Sequence, residues 1–213
     1  QEFESVEIIS ALTARLLWEY KGKEEKRIPE AGSRHSKLLT SLNEIVEAVN
    51  LTTDRKQVTS LILKVAIEST GADNGSLLLL DPIENVLKVE VALGIPPEAI
   101  PNIRCKLGEG IAGKVALEGK PLLLSGKADD STFKILRERE EIKSALCVPL
   151  TINGSTVGVL NLNNLKSIDG FTSEDLSFIS KLAAFDAEIL IKSQEYEILK
   201  ENAQTFVIWK ELN

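Results

Sequence analysis

The sequence contains no methionine, a single histidine and only two cysteines, and each scarcity removes a class of chemistry. His35, the lone histidine, falls among Pro29, Gly32 and Ser33 in a loop-like stretch, so it supports neither a His-based triad nor haem ligation. Cys105 and Cys147 lie far apart and without companions at metal-ligand spacing. They are expected to be reduced thiols of a cytoplasmic protein rather than a disulfide. No apolar run approaches the roughly 18 to 20 residues that a spanning helix needs. No positively charged leader precedes an apolar core at the N-terminus, so no secretory signal is expected. A formal net charge of −7 argues against nucleic acid or an anionic membrane as partner. The acidic pair Asp129-Asp130 has no partners at calcium-loop spacing, and Arg137 to Glu141 reads as a solvated helix face, so neither a metal nor another cofactor is expected. A start at Gln1, together with the missing methionine, reads as a piece of a longer polypeptide.

What remains is a globular composition, 43% hydrophobic and 27% charged, over 213 residues. Phe3, Val6, Ile9, Leu12, Leu16 and Tyr20 recur at helical spacing and predict an amphipathic helix within residues 1–27, followed by a linker over 28–36. A second helix is predicted from Lys37, carrying Leu38, Leu42, Ile45 and Val49. A third, capped by Thr53 or Asp54, carries Val58, Leu61, Ile62, Val65 and Ile67. The period then changes. Ser76 to Asp81 and Val86 to Leu93 read as a hairpin, and Ile103 to Lys106 as a short strand. After LGEG a short helix starts at Ile111 and Ala112, and a strand follows at Leu122 to Leu124. The charged run from Ala128 to Lys143 is predicted to be one helix. SALCVPLTI and STVGVLNLNN flank Asn153-Gly154, the dipeptide most suited to a two-residue type I′ turn. A long closing helix begins at Thr172 or Ser173, with Glu174 and Asp175 complementing its dipole. Its stripe of Leu182, Phe185, Ile189, Tyr196, Leu199, Ala203 and Phe206 outlasts one domain, which predicts a partner helix over residues 190–213. The order of elements predicts an α+β fold, an antiparallel sheet of five or six strands with helices on its faces.

GADNGSLLLLD, IRCKLGEGIAGKVALEGKPLLL, SALCVPLTINGSTVGVLNLNN and FTSEDLSFISKLAAFDAEIL together resemble, in order and spacing, the segments of GAF domains. The resemblance places such a domain at residues 37–203 and implies a non-catalytic regulatory sensor. Among members, the chain particularly resembles the cyclic-nucleotide-binding branch of the phosphodiesterases. Matching segments implies a ligand pocket around Ser76, Glu90, Ile111, Ala112, Phe133, Lys134, Glu138 and Asn161. Phe133 can stack on a base or anchor its helix, Lys134 can neutralise a phosphate, and Asn161 can read a base edge. Gly108, Gly110 and Gly113 either admit a ligand to the helix N-terminus or only turn the chain tightly. That branch also carries an Asn-Lys…Phe-x-x-x-Asp-Glu motif, of which Asn164, Phe171 and Asp175 are present. Leu165 and Leu176 replace its Lys and Glu, so a Lys–Asp bridge requires Lys166 as substitute.

The expected function is therefore a module that binds a small molecule, with a cyclic nucleotide as the leading candidate, and signals through its terminal helices. Those helices would form a homodimer and lead to an effector domain. Two alternatives accompany it: a ligand-free dimerisation scaffold, and an enzyme resembling free methionine-(R)-sulfoxide reductase, which would use Cys105.

Overall fold

The computed structural model describes residues 55–125, 142–166 and 170–191. The helices predicted before residue 55, the linker, the run from 126 to 141 and the helix beyond 191 lie outside those residues. Within them the order is α1 (Arg55–Thr70), β1 (Asn74–Asp81), β2 (Val86–Leu93), a 3-10 turn (Ile100–Asn102), β3 (Arg104–Lys106), α2 (Gly110–Glu118), β4 (Leu122–Ser125), β5 (Ser144–Ile152) and β6 (Ser155–Asn164). A closing helix, α3, covers residues 173–191.

The strands form one sheet in the order β3-β2-β1-β6-β5-β4, and every neighbouring pair is antiparallel. The expected α+β architecture with six strands is what the chain adopts. Two turns account for much of it. Asn153 (φ 50°) and Gly154 (φ 80°) both take positive φ, as a type I′ turn requires, and join β5 to β6. At the β1–β2 hairpin, the amides of Ile83 and Glu84 both donate to Asp81 Oδ1, at 2.9 and 3.0 Å. These bonds and the Lys88 ammonium at 2.7 Å hold the Asp81 carboxyl down at about 2, the ammonium contributing most.

Alternation along each strand gives the sheet two covered faces. On one, Leu77, Leu146, Val148, Leu150, Leu160 and Leu162 meet Val58, Ile62 and Val65 of α1 and Ile179, Leu182, Phe185 and Ile189 of α3. On the other, Leu78, Leu87, Cys147 and Val159 meet Ile111, Val115 and Ala116 of α2. Leu77, Leu146, Leu150, Leu160 and Leu162 are fully buried, each stabilising by about 1.5–3 kcal/mol relative to exposure. Leu182, Phe185 and Ile189, the first three members of the long closing stripe, are thus used within the domain itself.

The start of α3 is closed reciprocally. The Asp175 amide donates to Thr172 Oγ1 at 3.1 Å, while the Thr172 amide donates back to Asp175 Oδ2 at 2.8 Å. This is a capping box with aspartate at its third helical position. Thr172→Ala is expected to cost about 1 kcal/mol, read as a fall in urea midpoint with unchanged slope. An unchanged midpoint would show that α3 is held by its buried face alone.

Candidate ligand-binding face

The face beneath α2 is apolar at one end and polar at the other. Register places Cys147, Asn161, Ser76 and Ala92 in one row across four strands, and Ala145, Asn163 and Asn74 in the next. Residues directly opposite share a face, so these rows lie beside Leu78 and Val159 on the α2 side. Three asparagine amides form a chain there. Asn163 Nδ2 donates to Asn74 Oδ1 at 3.0 Å, and Asn161 Nδ2 donates to Asn163 Oδ1 at a long 3.5 Å. The order of donors fixes how each amide is turned, and it leaves Asn161 Oδ1 pointing away from the chain. That oxygen is buried and has no hydrogen-bond partner among the described residues. A buried acceptor left without a donor costs about 1–3 kcal/mol.

The N-terminus of α2 supplies groups of the opposite sense. Glu109 caps it with extended backbone and no side-chain bond, and the first amide of the helical ladder is Gly113, which donates to the Glu109 carbonyl at 3.0 Å. The amides of Gly110, Ile111 and Ala112 therefore stand outside the ladder. Ile111 is buried and Ala112 half-buried on the sheet below.

The residues expected around the pocket thus divide into three sets. Ser76 and Asn161 are brought side by side as cross-strand neighbours, and Ile111 and Ala112 belong to the helix packed on the same face. Phe133, Lys134 and Glu138 lie outside the described residues. Glu90 is placed elsewhere. Leu77 pairs with Val91 and Leu78 with Val89, so Glu90 is the extra residue of a bulge in β2. The bulge turns its side chain to the opposite face, where Arg55 of α1 donates to Oε1 at 2.9 Å. Simple alternation from Ala92 would have put Glu90 beside Ser76; one inserted residue reverses that. Asn74 and Asn163 were missed as members of this face, although Asn163 follows Asn161 at the two-residue spacing that marks one side of a strand.

The Lys–Asp bridge also differs from expectation. Lys166 Nζ meets Asp73 Oδ1 at 3.2 Å, not Asp175, which is engaged with Thr172. Asp73 Oδ2 accepts from the Leu165 and Lys166 amides at 2.8 and 3.1 Å, and the Leu165 amide is the main cause that holds its carboxyl below the usual range. Leu165, in the place of the lysine, packs into the core beneath α2.

Neither cysteine forms a disulfide among the described residues, and both are buried. Burial pushes the Cys147 thiol far up, with Cys105 adding to the rise, and Cys105 Sγ donates to the Glu109 carbonyl at 2.9 Å. Neither has the exposed, electropositive setting of a reactive thiolate. Among the described residues no group of three or more metal-ligating side chains occurs, and no helix is long and apolar enough to cross a membrane.

The described elements thus form an α+β domain, a six-stranded antiparallel sheet with two helices on one face and a third over a partly polar face. Residues 52–190 match the family model described as the GAF domain, well over half of the chain. The chain belongs to the GAF domain family, whose members are generally regulatory domains. It is 25% identical over 181 residues to a Nif-specific regulatory protein of Azospirillum lipoferum, covering 82% of this chain and 29% of that one. It is 24% identical over 200 residues to a probable 3',5'-cyclic phosphodiesterase of Caenorhabditis elegans, covering 87% and 27%. The chain therefore spans under a third of the length of these relatives. The GAF domain of an Acinetobacter phosphoenolpyruvate-protein phosphotransferase has the same fold, with a TM-score of 0.63 at 22% identity, over 74% of this chain and 94% of that one.

Proposed function

We propose that this domain is a sensor whose ligand lies on the α2 side of the sheet and presents an N–H donor to Asn161 Oδ1. The observation that supports this most is the orphaned acceptor at the end of the Asn74–Asn163–Asn161 chain. A donor from the ligand completes the chain, and the free amides at the start of α2 receive a polar or anionic group. A cyclic nucleotide carries both features, an N–H-bearing base and a phosphate, and one relative is described as a cyclic phosphodiesterase. Ser76, Ile111 and Ala112 join Asn161 in this reading, and Phe133, Lys134 and Glu138 are proposed for the remaining side. The domain acts on an effector through its terminal helices, as a homodimer in the cytoplasm, and performs no catalysis of its own.

The test is a thermal-shift screen with cyclic mononucleotides, cyclic dinucleotides, free bases and amino acids. A ligand at 100 times its Kd stabilises by about 2.7 kcal/mol. Asn161→Leu removes the unpartnered oxygen and gives up only the long 3.5 Å bond to Asn163 Oδ1, so the ligand-free protein should change its Tm little while the ligand-induced shift disappears. A shift that survives Asn161→Leu would move the ligand off this face. No shift with any compound would favour a ligand-free dimerisation scaffold.

A further inference from the structure

Asp186 takes no part in the proposed ligand-binding face. It lies on α3, fully buried, on the side of the sheet opposite Asn161. The Thr59 hydroxyl of α1 donates to Asp186 Oδ1 at 3.0 Å, while Oδ2 is buried without a hydrogen-bond partner among the described residues. Two charged groups face it from the elements packed against it: Arg55 of α1 and Glu90 of β2. These two are paired with each other at 2.9 Å, their side chains 28% and 14% exposed. Burial raises the Asp186 carboxyl to about 7 and Glu90 adds to the rise, whereas the Thr59 bond and Arg55 oppose it.

The guanidinium is therefore paired with Glu90 while its charge also acts on Asp186. While Asp186 is neutral, Arg55 belongs to Glu90. An ionised Asp186 is a full charge in the core with one oxygen unsatisfied, a state that draws the nearest cation. Arg55 stands at the first described turn of α1, and its planar fork of donors can bridge or change partners without leaving the interface. Glu90, the partner it would share, is the extra residue of the β2 bulge, where the ladder is already interrupted.

We propose that Arg55, Glu90 and Asp186 form a proton-operated joint, in which ionisation of Asp186 draws the Arg55 guanidinium from Glu90 and so repositions α1, β2 and α3 relative to one another. The joint is independent of any ligand on the other face. It places a proton-dependent choice at the helices that enter and leave the domain.

NMR titration of the full chain from pH 5 to 9 tests it. Backbone amides near Arg55, Glu90 and Asp186 and the Arg55 side-chain N–H should move together with one midpoint near neutrality. Asp186→Asn should abolish that common titration. Glu90→Gln, which releases Arg55 to Asp186, should lower the midpoint by about one unit or more, and Arg55→Gln should raise it. If Asp186→Asn does not fold, the opposite displacements in the other two variants decide alone. The absence of a common titration, its survival in Asp186→Asn, or an unmoved midpoint in Glu90→Gln would each overturn the joint.

Discussion

Gly113→Ala is expected to lower the unfolding free energy by about 2–3 kcal/mol, a fall in Tm of roughly 5–10 °C. The sign is the informative part. Inside a helix, alanine is normally favoured over glycine by about 1 kcal/mol. At Gly113 an added Cβ would run into the Lys106 carbonyl oxygen, with Cys105 Sγ at 3.0 Å and the Gly108 amide nitrogen at 3.2 Å. Two of those three neighbours are backbone and cannot rotate away. The same short loop is pinned by the Gly108 amide, which donates to the Gly113 carbonyl at 2.8 Å. A methyl group here therefore lifts α2 off β3 and displaces the Gly110–Ala112 amides from the candidate face. Gly154→Ala is the control, because its Cβ would meet nothing within 4 Å and only its φ of 80° is unsuited to alanine. If urea denaturation gave both variants the same loss, close packing at Gly113 would not be the reason for glycine there.

The second large effect is a pH dependence of stability that runs opposite to the usual acid denaturation. Asp186 is raised from 3.8 to about 7, chiefly by burial. Below pH 4 the group is protonated whether the chain is folded or not, and it contributes nothing. Between about 4 and 7 the native state holds a proton that the unfolded chain has released. Stability then falls as pH rises, by about 1.4 kcal/mol per unit, to a total near 4 kcal/mol above pH 7. Asp73 and Asp81 are lowered instead, so their contributions are lost only at more acid pH, and the two windows separate. Asp186→Asn should flatten the curve between pH 4 and 7 and leave the protein more stable than the parent at pH 8. Denaturation midpoints at pH 5 and pH 8 check this. An equal drop in both proteins would assign the slope to another group.

How far these features could be read from the sequence depended on whether the signal was local. The strand at Val86 to Leu93, the Asn153-Gly154 hairpin and the helix start at Thr172 follow from alternation, turn chemistry and capping. Each involves residues within a few positions of one another, and the structure has them where those rules put them. Asp186 was passed over, although its position carried a signal. It sits four residues after Leu182 and three before Ile189, on the core stripe of α3, where a carboxylate stands out.

Glu90 was not legible, because an inserted residue in β2 reverses its face without any change in hydrophobic pattern that alternation can register. The same holds for the Lys166–Asp73 pair, whose members are distant in sequence and adjacent only once β6 lies along β1. By itself, then, the sequence determined which of the described segments form strands and helices, where they turn, and the GAF family they compose, since those are set by short-range propensity and period. Only the tertiary structure decided which polar side chains share a face, which carboxylate loses its water, and which acceptor has no donor among the described residues. Burial and cross-strand register are properties of the assembled sheet, and no single segment carries them.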